Sequence, residues 1–187
     1  NRVYRATDAS GNSSSCTQAI TVIDNVNPTI TVCPANRTVT AATNLCAATN
    51  TYSATATDNC GVPTVTFSPA SGSSFPVGTS TVTTTATDAC GNTATCAFTV
   101  TVTDNQAPVI TCPANITAIA TSANGAIVNY TAPTGTDNCP GATTTQIGGL
   151  GSGATFPIGV TTNIFRVTDA AGNSTTCSFT VTISGLA

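Results

Sequence analysis

The sequence predicts an all-β chain of tandem β-sandwich domains, and three observations carry that expectation. Apolar residues alternate with polar ones at a period of two, as in Cys96, Phe98, Val100 and Val102 against Ala97, Thr99 and Thr101, and again in Cys177, Phe179, Val181 and Ile183; this marks strands with one buried face. No stretch has helical periodicity, and the short strand patterns are broken by Gly, Pro and Asn turns. The pattern also recurs at about 80 residues, a period that sets the architecture before any single residue is interpreted. At that domain size, short strands with frequent turns point to immunoglobulin-like sandwiches joined end to end.

Composition supports each part of this reading. Apolar residues make up 40% of the 187, enough for compact cores, but aromatics are only 5% and Trp and Met are absent, so the cores draw on Val, Ile, Ala and a few Phe. Charged residues are 6%, and Thr, Ser and Asn supply the polarity, which favours strands. The net charge of −3 comes with regular β-branched alternation, which argues against disorder. There is no Lys, and the 4 Arg (Arg2, Arg5, Arg37, Arg166) are too few and too scattered to neutralise a row of phosphates, so nucleic acid is not an expected partner. No apolar run approaches the roughly 18 to 20 residues of a helical membrane span. The sequence carries no signal peptide and opens inside a strand pattern at Asn1, which reads as a window from a longer polypeptide.

The repeat is read from its motifs. Thr7 to Asn12 (TDASGN) recurs as Thr87 to Asn92 (TDACGN) and Thr168 to Asn173 (TDAAGN). Asp24 to Pro28 recurs as Asp104 to Pro108, Cys33-Pro34-Ala35-Asn36 as Cys112-Pro113-Ala114-Asn115, Asp58-Asn59-Cys60 as Asp137-Asn138-Cys139, and Phe75-Pro76-Val77-Gly78 as Phe156-Pro157-Ile158-Gly159. Residues 1–24 are then the C-terminal strands of a truncated repeat, and 25–104 and 105–187 are complete repeats. Two departures stand out: Gln18 replaces Phe98 and Phe179, and the stretch from Pro28 to Cys33 is one residue longer than that from Pro108 to Cys112, which suggests a bulge. Together the motifs DNxxP, CPAN, TDNC, FPxG, TDAxGN and CxFTVTV resemble the hyalin repeat, or HYR domain, over nearly the whole chain. The resemblance implies an immunoglobulin-related fold in extracellular proteins, often in adhesion and often in long arrays.

Nine cysteines with no CxxC pair and no His argue for disulfides in an oxidising compartment rather than a zinc site, so the expected location is extracellular, secreted or cell-surface. If successive domains join end to end, the first and last strands of a repeat run parallel. That places Cys33 near Cys96 and Cys112 near Cys177. The same count of strand directions brings Cys60 and Cys90 to one end of their domain, where a bond between them is expected. It sets Cys46, at the opposite end, toward Cys139 of the next repeat; the alternatives for Cys46 and Cys139 are free thiols or bonds to another chain. Cys16 would pair with a cysteine outside the sequence.

All 7 acidic residues are Asp, and each falls in a repeated motif. Asp24, Asn25, Asp58 and Asp88 would gather at the entry to one repeat, and Asp104, Asn105, Asp137 and Asp169 at the entry to the next. Converging hard oxygen ligands suit Ca²⁺, and DNxxP is similar to the linker motif of cadherins. The competing role is local: Asp in TDAxGN can close a turn by accepting backbone amides while Gly takes a positive φ. Sequons at Asn12, Asn36, Asn115, Asn129 and Asn173 would carry N-glycans in a eukaryote. The Gly148–Gly153 segment lacks the Lys and helix context of a phosphate loop and reads as a turn.

With no His and no Glu, neither Ser-His-Asp nor Cys-His arrangements can be assembled, and no enzymatic activity is expected. The favoured role is a stiff stalk or fibre segment whose partners are neighbouring repeats and like chains. The alternative is an adhesin whose repeats contact a cell-surface protein or glycan, with Tyr52 and Tyr130 as the main aromatic candidates.

Overall fold

A computed structural model describes residues 1–185 and is all-β, with strands β1 to β16. They are β1 (Arg2–Thr7), β2 (Ser13–Gln18), β3 (Thr29–Val32), β4 (Arg37–Thr40), β5 (Ala47–Thr49), β6 (Thr55–Thr57), β7 (Thr64–Ser68), β8 (Ser74–Pro76), β9 (Gly78–Thr87) and β10 (Thr93–Thr103). The remainder are β11 (Ile116–Ile119), β12 (Ala126–Ile127), β13 (Thr143–Gly148), β14 (Thr155–Phe156), β15 (Gly159–Thr168) and β16 (Ser174–Ser184). Compact packing groups the chain into two units: Asn1–Pro34 with Tyr52–Ser71 and Val82–Phe98, and Ala35–Thr51 with Gly72–Thr81 and Thr99 onward.

The second unit shows how one repeat is built. Strands β11, β16, β15 and β13 form a sheet in that order. β11 runs parallel to β16 from Ile116↔Val181 to Ile119↔Ser184, and β16 runs antiparallel to β15 over its length. Before β11 the chain bridges Val109 to Thr136, breaks at the Cys112-Pro113 step, and then joins β16. Pro113 has no amide to offer a ladder, which suits the break. Beyond it the Asn115 side-chain oxygen accepts the Thr180 amide at 2.9 Å and sets the register of β11.

Period-two alternation puts Phe179, Val181 and Ile183 of β16 and Phe165 and Val167 of β15 on one face, each no more than 4% exposed. They pack against Ile110, Ala120, Ala126, Val128 and the fully buried Phe156 of β14. Burying each large side chain stabilises the fold by about 1.5–3 kcal/mol. Tyr130 meets Phe179 edge to face at 5.0 Å between ring centroids. The Gly148–Gly153 segment is a loop folded over the buried Asn163, whose side-chain oxygen accepts the Leu150 amide at 2.8 Å. Gly149 sits at φ 83°, where a Cβ would strike that oxygen, so glycine is required there.

The first unit repeats these devices. β7 and β9 pair antiparallel from Thr64↔Thr87 to Ser68↔Thr83, and β3 pairs with β6 with a register shift between Ile30 and Val32, where the sequence has its extra residue. Tyr52 meets Phe67 and Phe98 edge to face, each at 5.0 Å. The β1-β2 hairpin keeps the motif of a repeat's last two strands but not its burial: Ile20 is 50% and Val22 89% exposed, whereas their counterparts Val181 and Ile183 are at most 2% exposed.

Candidate functional site

In the second unit, carboxylate oxygens of Asp104 and Asp137 and the sulfur of Cys139 lie within 4.8 Å of one another. Each aspartate spends one oxygen on its own turn: Asp104 Oδ1 accepts the Gln106 amide at 3.0 Å, and Asp137 Oδ2 accepts the Cys139 amide at 2.8 Å. The other oxygens, Asp104 Oδ2 and Asp137 Oδ1, are buried and no donor among the described residues reaches them; Asn138 Oδ1 is in the same condition. Asp104 is only 6% exposed. Buried anionic oxygens without a donor are costly, and a bound cation or water would offset the cost. Cys139 is bonded to Cys46, so its sulfur offers no thiolate, and the usable donors are all oxygen. An all-oxygen set suits Ca²⁺ rather than zinc.

The first unit holds the same arrangement one repeat earlier. Carboxylate oxygens of Asp24, Asp58 and Asp88 lie within 4.8 Å of one another. Asp24 Oδ1 accepts the Val26 amide at 3.0 Å and Asp58 Oδ2 the Cys60 amide at 2.9 Å, leaving Asp24 Oδ2 and Asp58 Oδ1 buried and unpartnered. These three aspartates are half-buried, less enclosed than Asp104. Asn25 and Asn105 are exposed and stand outside both clusters, and Asp169 is outside the second.

The aspartate of the TDAxGN motif, Asp88 in one unit and Asp169 in the other, is bound up in its own turn. Asp88 Oδ1 accepts the amides of Cys90 and Asn92, and Oδ2 accepts the Asn92 side chain at 2.7 Å. Asp169 accepts the Asn173 amide and side chain, both at 2.8 Å. Gly91 and Gly172 carry the positive φ of the turn, 93° and 94°. Burial pushes the Asp88 and Asp169 carboxyls up, but hydrogen bonds from Asn92 and Asn173 and from the following amides outweigh it and hold both below the usual value. In Asp8 the side chain and amide of Asn12 act in the same direction. The turn asparagines also reach the entering linker. Asn92 Nδ2 donates to the Asp24 carbonyl at 3.1 Å, and Asn173 Nδ2 donates to the carbonyls of Asp104 and Gln106 at 3.2 and 3.3 Å.

Cys33 is bonded to Cys96 and Cys112 to Cys177, with Cα separations of 6.4 and 5.6 Å, and Cys46 to Cys139 at 4.9 Å. Cys60 and Cys90, expected to pair, are instead exposed thiols, as is Cys16. Strand direction fixes the end of the domain but not the distance across it, and each of the two cysteines is held in a turn closed on its own aspartate. Tyr52 is buried, and Tyr130 is half-buried against its core. Tyr52 donates to the carbonyls of Pro69 and Ala70, and Tyr130 to that of Leu150 at 2.6 Å. Among the sequons, Asn36, Asn115 and Asn129 are exposed; the side-chain nitrogens of Asn12 and Asn173 are engaged by Asp8 and Asp169. Asn138 and Asn92 were not candidates on sequence grounds, and Asn173 was one only as a sequon, although their recurrence in TDNC and TDAxGN was the available signal.

The architecture is thus a tandem all-β module with disulfide staples and an acid-lined end in each copy. Two segments, residues 23–102 and 103–183, match the HYR domain, and the chain belongs to that family. It is 36% identical over 121 residues to hyalin of Strongylocentrotus purpuratus and 37% identical over 134 residues to hyalin of Lytechinus variegatus. These matches take in 60% and 69% of this chain but only 10% and 25% of the hyalins. Among solved structures it is similar to protocadherin gammaB7 EC3-6 (17% identity, TM-score 0.42, 97% of this chain and 57% of that one). Protocadherin gamma C5 EC1-3 is similar at 15% identity and TM-score 0.42, over 93% and 73% of the two chains. Both likenesses are too remote to carry a functional argument.

Proposed function

We propose that the chain is a structural segment of an extracellular protein, in which successive HYR modules form a stiff stalk or fibre and Ca²⁺ sits where the linker meets the end loops of each module. The observation that carries this reading is the Cys46–Cys139 bond, which joins a loop of residues 25–104 to a loop of residues 105–187 beside the Asp104 and Asp137 carboxylates. Three disulfides fit an oxidising, extracellular setting. Asp24, Asp58 and Asp88 would hold one cation, and Asp104, Asp137 and Asn138 another, with water or carbonyls completing the six to eight oxygen ligands that Ca²⁺ takes. A bound cation would neutralise the carboxylates and fix linker against loop; no catalytic step is assigned to it. The adhesin alternative loses its main support with Tyr52 and Tyr130 committed to internal hydrogen bonds.

Small-angle scattering of the oxidised chain, with Ca²⁺ and then with chelator, tests this reading. A stiff array gives one narrow, elongated distance distribution in Ca²⁺ that broadens when the ion is removed. Identical broad distributions under both conditions would rule out a cation-stiffened segment.

A further inference from the structure

We propose that the Cys46–Cys139 disulfide sets the cation affinity of the Asp104/Asp137 site and makes it redox-controlled, while the Asp24/Asp58/Asp88 site is free of that control. This rests on the cation reading above and extends it to regulation.

Both segments that carry the donor oxygens are tied to one short loop, residues 44–46. From the linker, Gln106 clasps Asn44 twice: its Oε1 accepts the Asn44 amide at 2.9 Å, and its Nε2 donates to Asn44 Oδ1 at 3.2 Å. The Gln106 amide in turn donates to Asp104 Oδ1, so holding Gln106 holds Asp104. From the other side, Asn138 Nδ2 donates to the Leu45 carbonyl at 3.1 Å, and Cys139 is bonded to Cys46. The Cys139 amide closes on Asp137. Loop 44–46 therefore fixes the spacing of the two carboxylates, and the disulfide is its one covalent attachment to the 137–139 segment. Cys46, Cys139 and Asp104 line the same cleft, of about 230 Å³.

The first unit supplies an internal comparison. Asp58-Asn59-Cys60 occupies the same motif, but Cys60 is an exposed thiol and Asn59 reaches only Asp24 Oδ1, at 3.5 Å. There Asp24 and Asp58 are half-buried, as Asp137 is, but Asp104 and Cys139 are each only 6% exposed. The stapled site is thus the drier and more pre-organised of the two. Cys46 and Cys139 act as positioning residues, not ligands. A dithiol reductant breaks the sulfur–sulfur bond by supplying two electrons and two protons, giving two thiols and the oxidised reductant. Freed of the staple, loop 44–46 keeps only hydrogen bonds, and the carboxylates lose their fixed spacing. Coupling of binding equilibria is reciprocal, so a bound cation must protect the disulfide by the factor that the disulfide strengthens binding.

The test titrates Ca²⁺ by calorimetry into the full chain and into the Cys46→Ser/Cys139→Ser variant, with Asp24→Asn/Asp58→Asn used in both backgrounds to isolate the second site. Supporting partners of metal ligands are worth about 10- to 100-fold in affinity, so the isolated second site should weaken at least about tenfold when the staple is removed, with the first site unchanged. Equal affinity with and without the staple overturns the coupling and leaves the cation reading standing. Equal weakening of both sites overturns it as well. No binding at millimolar Ca²⁺ to the unaltered chain overturns the cation reading itself. Should the cysteine variant fail to fold, the reciprocal measurement decides. In the unaltered chain, Ca²⁺ should shift the reduction equilibrium of Cys46–Cys139 with dithiothreitol, scored by alkylation against Cys33–Cys96, and Asp104→Asn should abolish the shift. An equal response of both bonds contradicts the proposal.

Discussion

Replacing Asn173 by alanine removes a side-chain amide whose two hydrogens are shared among three acceptors. These are Asp169 Oδ2 at 2.8 Å, the Asp104 carbonyl at 3.2 Å and the Gln106 carbonyl at 3.3 Å. A hydrogen bond to a charged group contributes about 1.5–3 kcal/mol and a neutral one about 1 kcal/mol, so with the two longer bonds discounted the loss comes to about 3 kcal/mol. For a module of this size that corresponds to a fall in melting temperature of roughly 12 to 24 °C. The acid side of the stability curve should move too. Asp169 has a folded-state pKa below its unfolded value, so its contribution is present above about pH 4 and is lost as pH falls through the folded pKa. Without Asn173 the opposing effect of burial remains, the folded pKa rises, and the loss begins at higher pH. Calorimetric melting of the Asn173→Ala chain at pH 7 and between pH 3 and 5 measures both effects. A melting temperature within about 2 °C of the unaltered chain, with the same acid limb, would refute the idea that the turn clasps the linker.

Calcium in hundredfold excess over its dissociation constant should stabilise the module that binds it by about 2.7 kcal/mol, seen as a chelator-reversible rise in melting temperature that Asp104→Asn diminishes. With no His in the chain, stability should be level between pH 5 and 8 and fall as Asp8, Asp88 and Asp169 are protonated below about pH 4; a midpoint near pH 6.5 in a pH titration would contradict this. Tyr130→Phe loses the 2.6 Å bond to the Leu150 carbonyl and should cost about 1 kcal/mol in denaturant unfolding, while leaving any binding to glycan arrays unchanged.

The strands were legible because their burial repeats with the pleat: Phe179, Val181 and Ile183 alternate in the sequence and all face the core. The bonded pairs Cys33–Cys96 and Cys112–Cys177 follow from the direction of first and last strands, which run parallel in β11 and β16. Motif recurrence drew attention to the aspartates but not to the division of labour within them. Whether an oxygen closes a turn or is left buried and unpartnered depends on side-chain orientation and on neighbours far along the chain, such as Asn173 against Asp104. Cys60 and Cys90 show the same limit, since a count of strand directions contains no distance. The pairing of the first strand is split in two: Val109 bridges to Thr136 and β11 joins β16 only from Ile116, with Pro113, which has no ladder donor, between them.

Digestion of the non-reduced, alkylated protein with an endoproteinase that cleaves before aspartate reads the joint most directly, because aspartates separate Cys46 from Cys60, Cys96, Cys112, Cys139 and Cys177. Peptides 24–57, 88–103 and 137–168 should emerge as one species linked through Cys33–Cys96 and Cys46–Cys139, with 104–136 joined to 169–187 and Cys60 alkylated in 58–87. Recovery of 137–168 alone with an alkylated Cys139 would show that consecutive modules are not covalently tied.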